Sequence, residues 1–130
     1  MRRLKAILLA MSLVAASPAS AQNIVEFYQT WIGPADYFNS SGARLSDPCA
    51  IVRQERANYH RFGIRQPGDE SDSLFGNPGN RAWMDGKCRF RSSGGWVLDH
   101  LRRGEPVYIR VHVIGSGGRL SHLEIMEGAG

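Results

Sequence analysis

Residues 47–63, D-P-C-A-I-V-R-Q-E-R-A-N-Y-H-R-F-G, carry the signals for both ends of one helix and the first of only two cysteines in the chain. Asp47 caps the start, because its carboxylate can accept from first-turn N–H groups that have no intrahelical partner. Pro48 follows at the first helical position, where its missing N–H costs nothing. Gly63 stands where a left-handed residue ends a helix. Cys49 in the first turn and the distant Cys88 predict a disulfide, so this helix is expected to be tied to a remote segment. The bond closes a loop of about forty residues, worth ~3–4 kcal/mol in the chain-entropy model. A reactive thiol pair is the competing reading, but such pairs are usually close in sequence, as in C-x-x-C.

Disulfides persist in oxidising compartments, and the chain starts in a way that fits export. Arg2, Arg3 and Lys5 precede the apolar run A-I-L-L-A-M-S-L-V-A-A, which is too short to span a bilayer. Ala19-Ser20-Ala21 has the small-x-small form of a cleavage site. Residues 1–21 are read as a signal peptide, cleaved near Ala21, and residues 22–130 as one small globular domain. Periplasmic or secreted localisation follows, with no membrane span in the mature chain. Cleavage also changes the charge. The whole chain has 16 basic and 12 acidic residues. The leader holds three of the basic ones, so the mature balance is 13 minus 12, or +1. A balance so near zero speaks against nucleic acid as a partner.

Asn23–Ile32 reads as a strand rich in β-branched and aromatic residues. Val25, Phe27 and Trp31 fall on one face and Ile24, Tyr28 and Ile32 on the other, which predicts cover on both sides for part of its length. Residues 35–46 are turn chemistry anchored by Tyr37 and Phe38. Asn39-Ser40-Ser41 is a glycosylation sequon, meaningful only in a eukaryotic secretory pathway. Residues 64–80 form a long polar loop with Leu74 and Phe75 pinning its far end, and loops of that length are functional or mobile. Residues 81–87 suggest a short helical turn capped by Asn80, and residues 96–103 a second helix stopped by Gly104. Residues 106–114 and 120–126 form a hairpin around Gly115–Gly118. Placing Leu123 and Ile125 on the valine face pairs Val111 with Leu123 and Ile109 with Ile125. The other face then sets Arg110 opposite Glu124 and His112 opposite His122. Pattern alone excludes a one-residue slip, which swaps faces, but is blind to a two-residue slip.

Three groups of residues carry candidate chemistry. Ile51, Val52, Tyr59 and Phe62 make an apolar arc on the first helix, and Glu55 interrupts it. Glu55 is either a part-buried carboxylate paired with an arginine or a weak catalytic candidate, an acid or base facing a cleft. The opposite side gathers Arg53, Arg56 and His60, a place for an anion or simply a solvated face. With Arg65, Asp69 and Asp72 of the loop they form the candidate binding set. Calcium at Asp69, Glu70 and Asp72 is disfavoured, since the spacing does not match the twelve-residue helix–loop–helix site. His112, His122 and Glu124 are the candidate zinc ligands, by ligand type. Nucleophilic catalysis lacks support: there is no G-x-S-x-G, and no local cue ties a serine to a histidine.

The segments D-Y-F-N-S-S-G-A-R-L and R-A-N-Y-H-R-F-G-I-R, within residues 36–75, resemble those of short exported Gram-negative bacterial proteins of uncharacterised function. That resemblance implies an envelope location and no activity. The expected fold is α+β: a small antiparallel sheet of N-terminal strand plus C-terminal hairpin, one main helix packed on it, and one disulfide. The expected function is a non-catalytic binding or accessory protein, such as a protein inhibitor. It is expected to act as a monomer on an envelope protein through residues 65–80, with no cofactor. The alternative is a small metal-dependent or acid/base enzyme using Glu55 or the hairpin histidines.

Overall fold

The computed structural model describes residues 12–15 and 22–130. The leader expected over 1–21, with its cleavage point, lies outside the described residues apart from 12–15. Strand β1 spans Asn23–Ile32 and a 3-10 turn follows at Pro34–Tyr37. Helix α1 spans Pro48–Ala57, and a π turn continues it over Asn58–Phe62. Helix α2 covers Pro78–Trp83, strand β2 Cys88–Phe90 and helix α3 Trp96–Arg103. Strands β3, Val107–Ser116, and β4, Arg119–Glu127, complete the chain. The strands form one sheet in the order β1-β3-β4-β2. The fold is thus α+β, a small sheet with one main helix against it.

The sheet has one more strand than the pattern suggested. β1, β3 and β4 are antiparallel neighbours, whereas β2 lies parallel to β4 at the edge. Three residues carry too little alternation to reveal a strand. Tertiary position makes this one, because Cys88 is bonded to Cys49 of α1, with Cα atoms 5.6 Å apart. The crosslink therefore joins the start of the main helix to the edge of the sheet.

Both ends of α1 follow the sequence signals. Asp47 accepts from the Ala50 amide, Pro48 occupies the first turn, and Gly63 closes the π turn at φ 66°. Ile51, Val52 and Tyr59 are buried as expected, but Phe62 is 46% exposed. The widened i→i+5 turn moves it off the apolar arc. Helix α2 begins earlier than expected, at Asn77 rather than Asn80. Asn77 accepts from Gly79 and Asn80, and Pro78 follows it, the same cap-and-proline pair that opens α1.

The core lies between one sheet face and the helices. Tyr28, Ile32, Val107, Ile109, Val111, Val113, Leu123 and Ile125 meet Ile51, Val52, Phe75, Met84, Val97 and Leu101 there. Strand β1 is covered on that side only. A bulge at Val25 brings Ile24, opposite Ile114, onto the other side with Phe27; they are 53% and 59% exposed there, and Trp31 leans on Tyr108 with ring centroids 5.1 Å apart.

The hairpin has the faces expected and a different register. Val111 pairs with Ile125 and Val113 with Leu123, while His112 faces Glu124 and His122 faces Ile114. The turn explains the shift of two. Only Gly117 and Gly118 form it, both at positive φ, as a two-residue turn with the strands' own twist requires. A bulge beside Ser121 then adds one residue to β4 and restores the facing. At Gly115 a Cβ would come within 2.7 Å of the Arg119 carbonyl oxygen, so the bulge needs glycine there.

Candidate functional site

Arg56 is where the first helix departs most from its sequence pattern. The helix pattern sets it beside Arg53 and His60 on a side free to hold an anion or to meet water, yet it is 0% exposed. Every N–H of its guanidinium is used. Nε and Nη2 donate to the two oxygens of Glu55 at 2.5 and 2.7 Å. Nη2 also donates to Thr30 Oγ1 at 3.2 Å. Nη1 donates to Asp72 Oδ1 at 2.9 Å and to the Glu70 carbonyl at 3.0 Å. The plane packs on Tyr28 and Tyr59, 3.9 and 4.5 Å from their ring centroids. A fixed planar fork can satisfy that many acceptors at once, which an ammonium cannot.

Glu55 is accordingly a buried partner, 2% exposed, and accepts in addition from the Thr30 hydroxyl at 2.6 Å. Burial pushes its carboxyl up to about 7, against the pull of Arg56 and Thr30. Asp72 differs. Burial raises it too, but His60, Arg56 and the Leu74 and Phe75 amides outweigh burial and hold it below the usual range. His60 donates to Asp72 at 2.6 Å. The network Glu55–Arg56–Asp72–His60 thus fastens residues 70–75 to α1 and β1 and leaves no room for a substrate at Glu55.

The other loop acids are also occupied. Asp69 accepts from the Trp31 and Gln66 amides, and Glu70 from the Gln29 amide. The Glu70 amide returns a bond to the Gln29 carbonyl. Glu26 reaches across to Ser73. These bonds cover the free edge of β1, which would otherwise be open to another strand. The loop expected to form the contact surface is thereby a strap, and Arg56, Asp69 and Asp72 of the candidate binding set are parts of its fastening. Arg65 stacks on Tyr59 at 4.1 Å and donates to its carbonyl.

The expected His112–His122 cross-strand pair does not form. His122 is 3% exposed and lies 3.3 Å from Glu124, with Ser121 Oγ 2.8 Å from its Nδ1. A local link between serine and histidine therefore exists. The bulge makes it, by bringing side chains of adjacent residues together. Glu124 is held below the ordinary carboxylate range by His122 first and by Arg91, 3.3 Å away, rather than by Arg110. Among the described residues, no group of three or more His, Cys, Asp or Glu is placed to hold a metal ion. Among the same residues, no helix is long and apolar enough to cross a membrane.

Arg53 does line a site. Between α1 and α2 lies an open cleft of about 240 Å³ to which Arg53, Arg61 and Arg81 all contribute, with Gln54 and Phe62. No aspartate or glutamate lines it. Among the described residues none of the three arginines takes part in an ion pair. Arg81 is buried and fixed, its Nη1 donating to the Phe75 and Gly76 carbonyls at 2.8 and 3.2 Å. Arg61 is exposed, its guanidinium 5.0 Å from the centre of the Phe62 ring. Two of these arginines escaped sequence reasoning. Arg53 and Arg61 are two helical turns apart on α1 and its π turn, a spacing that could have joined them, whereas Arg81 belongs to another helix and no spacing rule brings it in. Comparison with protein families, characterised proteins and solved structures finds no match to this chain.

Proposed function

We propose that this chain is a small exported binding protein, without catalysis of its own, that docks on an acidic feature of an envelope protein. Inhibition of an envelope enzyme is one form such docking takes. The convergence of Arg53, Arg61 and Arg81 on one cleft that holds no carboxylate carries the reading. Unpaired arginines held near each other repel, and a ligand carboxylate relieves that while accepting a two-pronged hydrogen bond. The Cys49–Cys88 bond supports the exported part, because such crosslinks last in oxidising compartments. Triglutamate serves as the test ligand. It should bind the wild type with an affinity that falls as salt rises, and binding should vanish in the Arg53→Gln/Arg61→Gln double variant. Equal binding by both proteins would remove the cleft from the reading.

A catalytic reading has one observation in its favour, the order Ser121–His122–Glu124. A serine, an imidazole and a carboxylate in a row also make up the triad of acyl-transfer enzymes, but here the ring nitrogens are exchanged, serine meeting Nδ1 and the carboxylate Nε2. The binding reading is stronger, because His122 is buried and Ser121 already accepts from the Gln22 amide at 3.3 Å. Ester hydrolysis by the wild type that disappears in Ser121→Ala would reverse this order.

A further inference from the structure

A second hollow of about 250 Å³ lies beside the arginine cleft, and the two share Ser40, Gln54 and Phe62 as a common wall. The second hollow is lined by three apolar side chains, Phe38, Phe62 and Ile64, which stand 45%, 46% and 46% exposed. Each reaches the surface for a local reason. Phe38 leaves the 3-10 turn in an extended conformation, Phe62 is displaced by the π turn, and Ile64 follows the left-handed Gly63. Neither hollow is lined by an acidic residue.

We propose that these two adjoining hollows take a peptide end of a partner protein, an apolar C-terminal residue whose carboxylate lies in the arginine half and whose side chain lies among Phe38, Phe62 and Ile64. The inference rests on the binding reading above and specifies its ligand. Three observations select a peptide end. The first is the adjacency of charge and apolar surface, since a carboxylate and the side chain on the same Cα fit halves that share one wall. The second is size. Each half falls short of the ~300–1,000 Å³ that drug-sized molecules fill, so each suits about one side chain and neither accommodates a long acyl tail. The third is the shared wall itself. Gln54 Nε2 donates to Asn58 at 3.0 Å, which leaves its Oε1 to accept a peptide N–H between the two halves.

The test is an NMR titration of the isotope-labelled full protein, followed at the amides of Gln54, Ala57, Phe62 and Ala82. The probes are acetyl-Gly-Gly-Phe with a free carboxylate, the same peptide as its C-terminal amide, acetyl-Gly-Gly-Gly, and inorganic phosphate. The free Phe acid should bind best, with the amide and the Gly peptide each about tenfold weaker, as expected for loss of a charged hydrogen bond or of one buried side chain. Arg53→Gln and Phe62→Ser should each weaken the Phe acid by about the same factor. Both side chains reach the surface, so unchanged unfolding midpoints are the control. Phosphate and the Gly peptide binding as tightly as the Phe acid would overturn the peptide-end inference and leave the acidic-ligand reading standing. No response at these amides to any anion would overturn both. Vesicles of phosphatidylglycerol moving the same amides, with no discrimination among the peptides, would replace the peptide by a lipid surface.

Discussion

Replacing Arg56 by lysine keeps the charge and removes the fork. All five guanidinium N–H groups donate, to Glu55 twice, Thr30, Asp72 and the Glu70 carbonyl. An ammonium has three donors, so at least two of those acceptors lose their partner. Hydrogen bonds to charged groups are worth ~1.5–3 kcal/mol each, which sets the cost at about 3–6 kcal/mol, overlapping that of other broken buried pairs. The two tyrosine stacking contacts are weakened besides. A small domain has ~5–15 kcal/mol in total, so Arg56→Lys should remain folded but marginal. Urea unfolding with the disulfide intact is the assay. With a slope of ~1–3 kcal/mol per molar urea, a 4 kcal/mol loss moves the midpoint by roughly 2 M. A neutral replacement makes the argument sharper. Arg56→Met combined with Glu55→Gln and Asp72→Asn leaves no buried charge alone and should be more stable than Arg56→Met by itself. Arg56→Lys within ~1 kcal/mol of the wild type would refute the account, which takes the loss from the ~1.5–3 kcal/mol per charged hydrogen bond.

Glu55 titrates at about 7 in the folded protein against 4.5 when unfolded, so the folded state binds the extra proton between these values and stability falls as pH rises through them. The total is roughly 3 kcal/mol, and Glu55→Gln should flatten that part of a plot of urea midpoint against pH. Asp72 acts oppositely. Its lowered value means that its contribution is lost as pH falls below 3.8, and Asp72→Asn should remove that acid limb of the same plot. Among the described residues the buried Tyr28 hydroxyl has no hydrogen-bond partner, so Tyr28→Phe should leave thermal stability unchanged or raise it by ~1 kcal/mol. The Cys49→Ala/Cys88→Ala variant should lose ~4 kcal/mol in urea unfolding, from the 39-residue separation its crosslink closes. Gly115→Val has no space beside the Arg119 carbonyl, and should lower the melting temperature and disturb the hairpin amides in an NMR spectrum more than Gly118→Asn does.

Much of the fold was legible because its signals are local. The Asp47-Pro48 start and Gly63 stop of α1 act on backbone groups within one turn. The alternation along β3 and the second helix with its Gly104 stop read equally directly. The site was less legible. Arg53 was among the candidates, but its companions Arg61 and Arg81 were not, and Arg56 stood beside it in that set although it is buried. At 3.6 residues per turn, Arg53 and Arg56 lie on neighbouring flanks of the helix, and the pattern does not record that residues 70–75 fold over one and leave the other bare. The hairpin register shows the same limit: faces repeat every two residues, so the pairing was open until the turn was known.

Sequence alone determined both ends of α1 and the stop of α3, the apolar face of β3, and that Cys49 and Cys88 can pair. All but the last depend on groups only a few residues apart, and the last on there being no third cysteine. Tertiary structure decided which charges are buried, which carboxylates fasten the β1 edge, and which three arginines surround a cleft. They depend on contacts across dozens of residues, where a side chain's partner, burial and ionisation are set by what the rest of the chain places beside it.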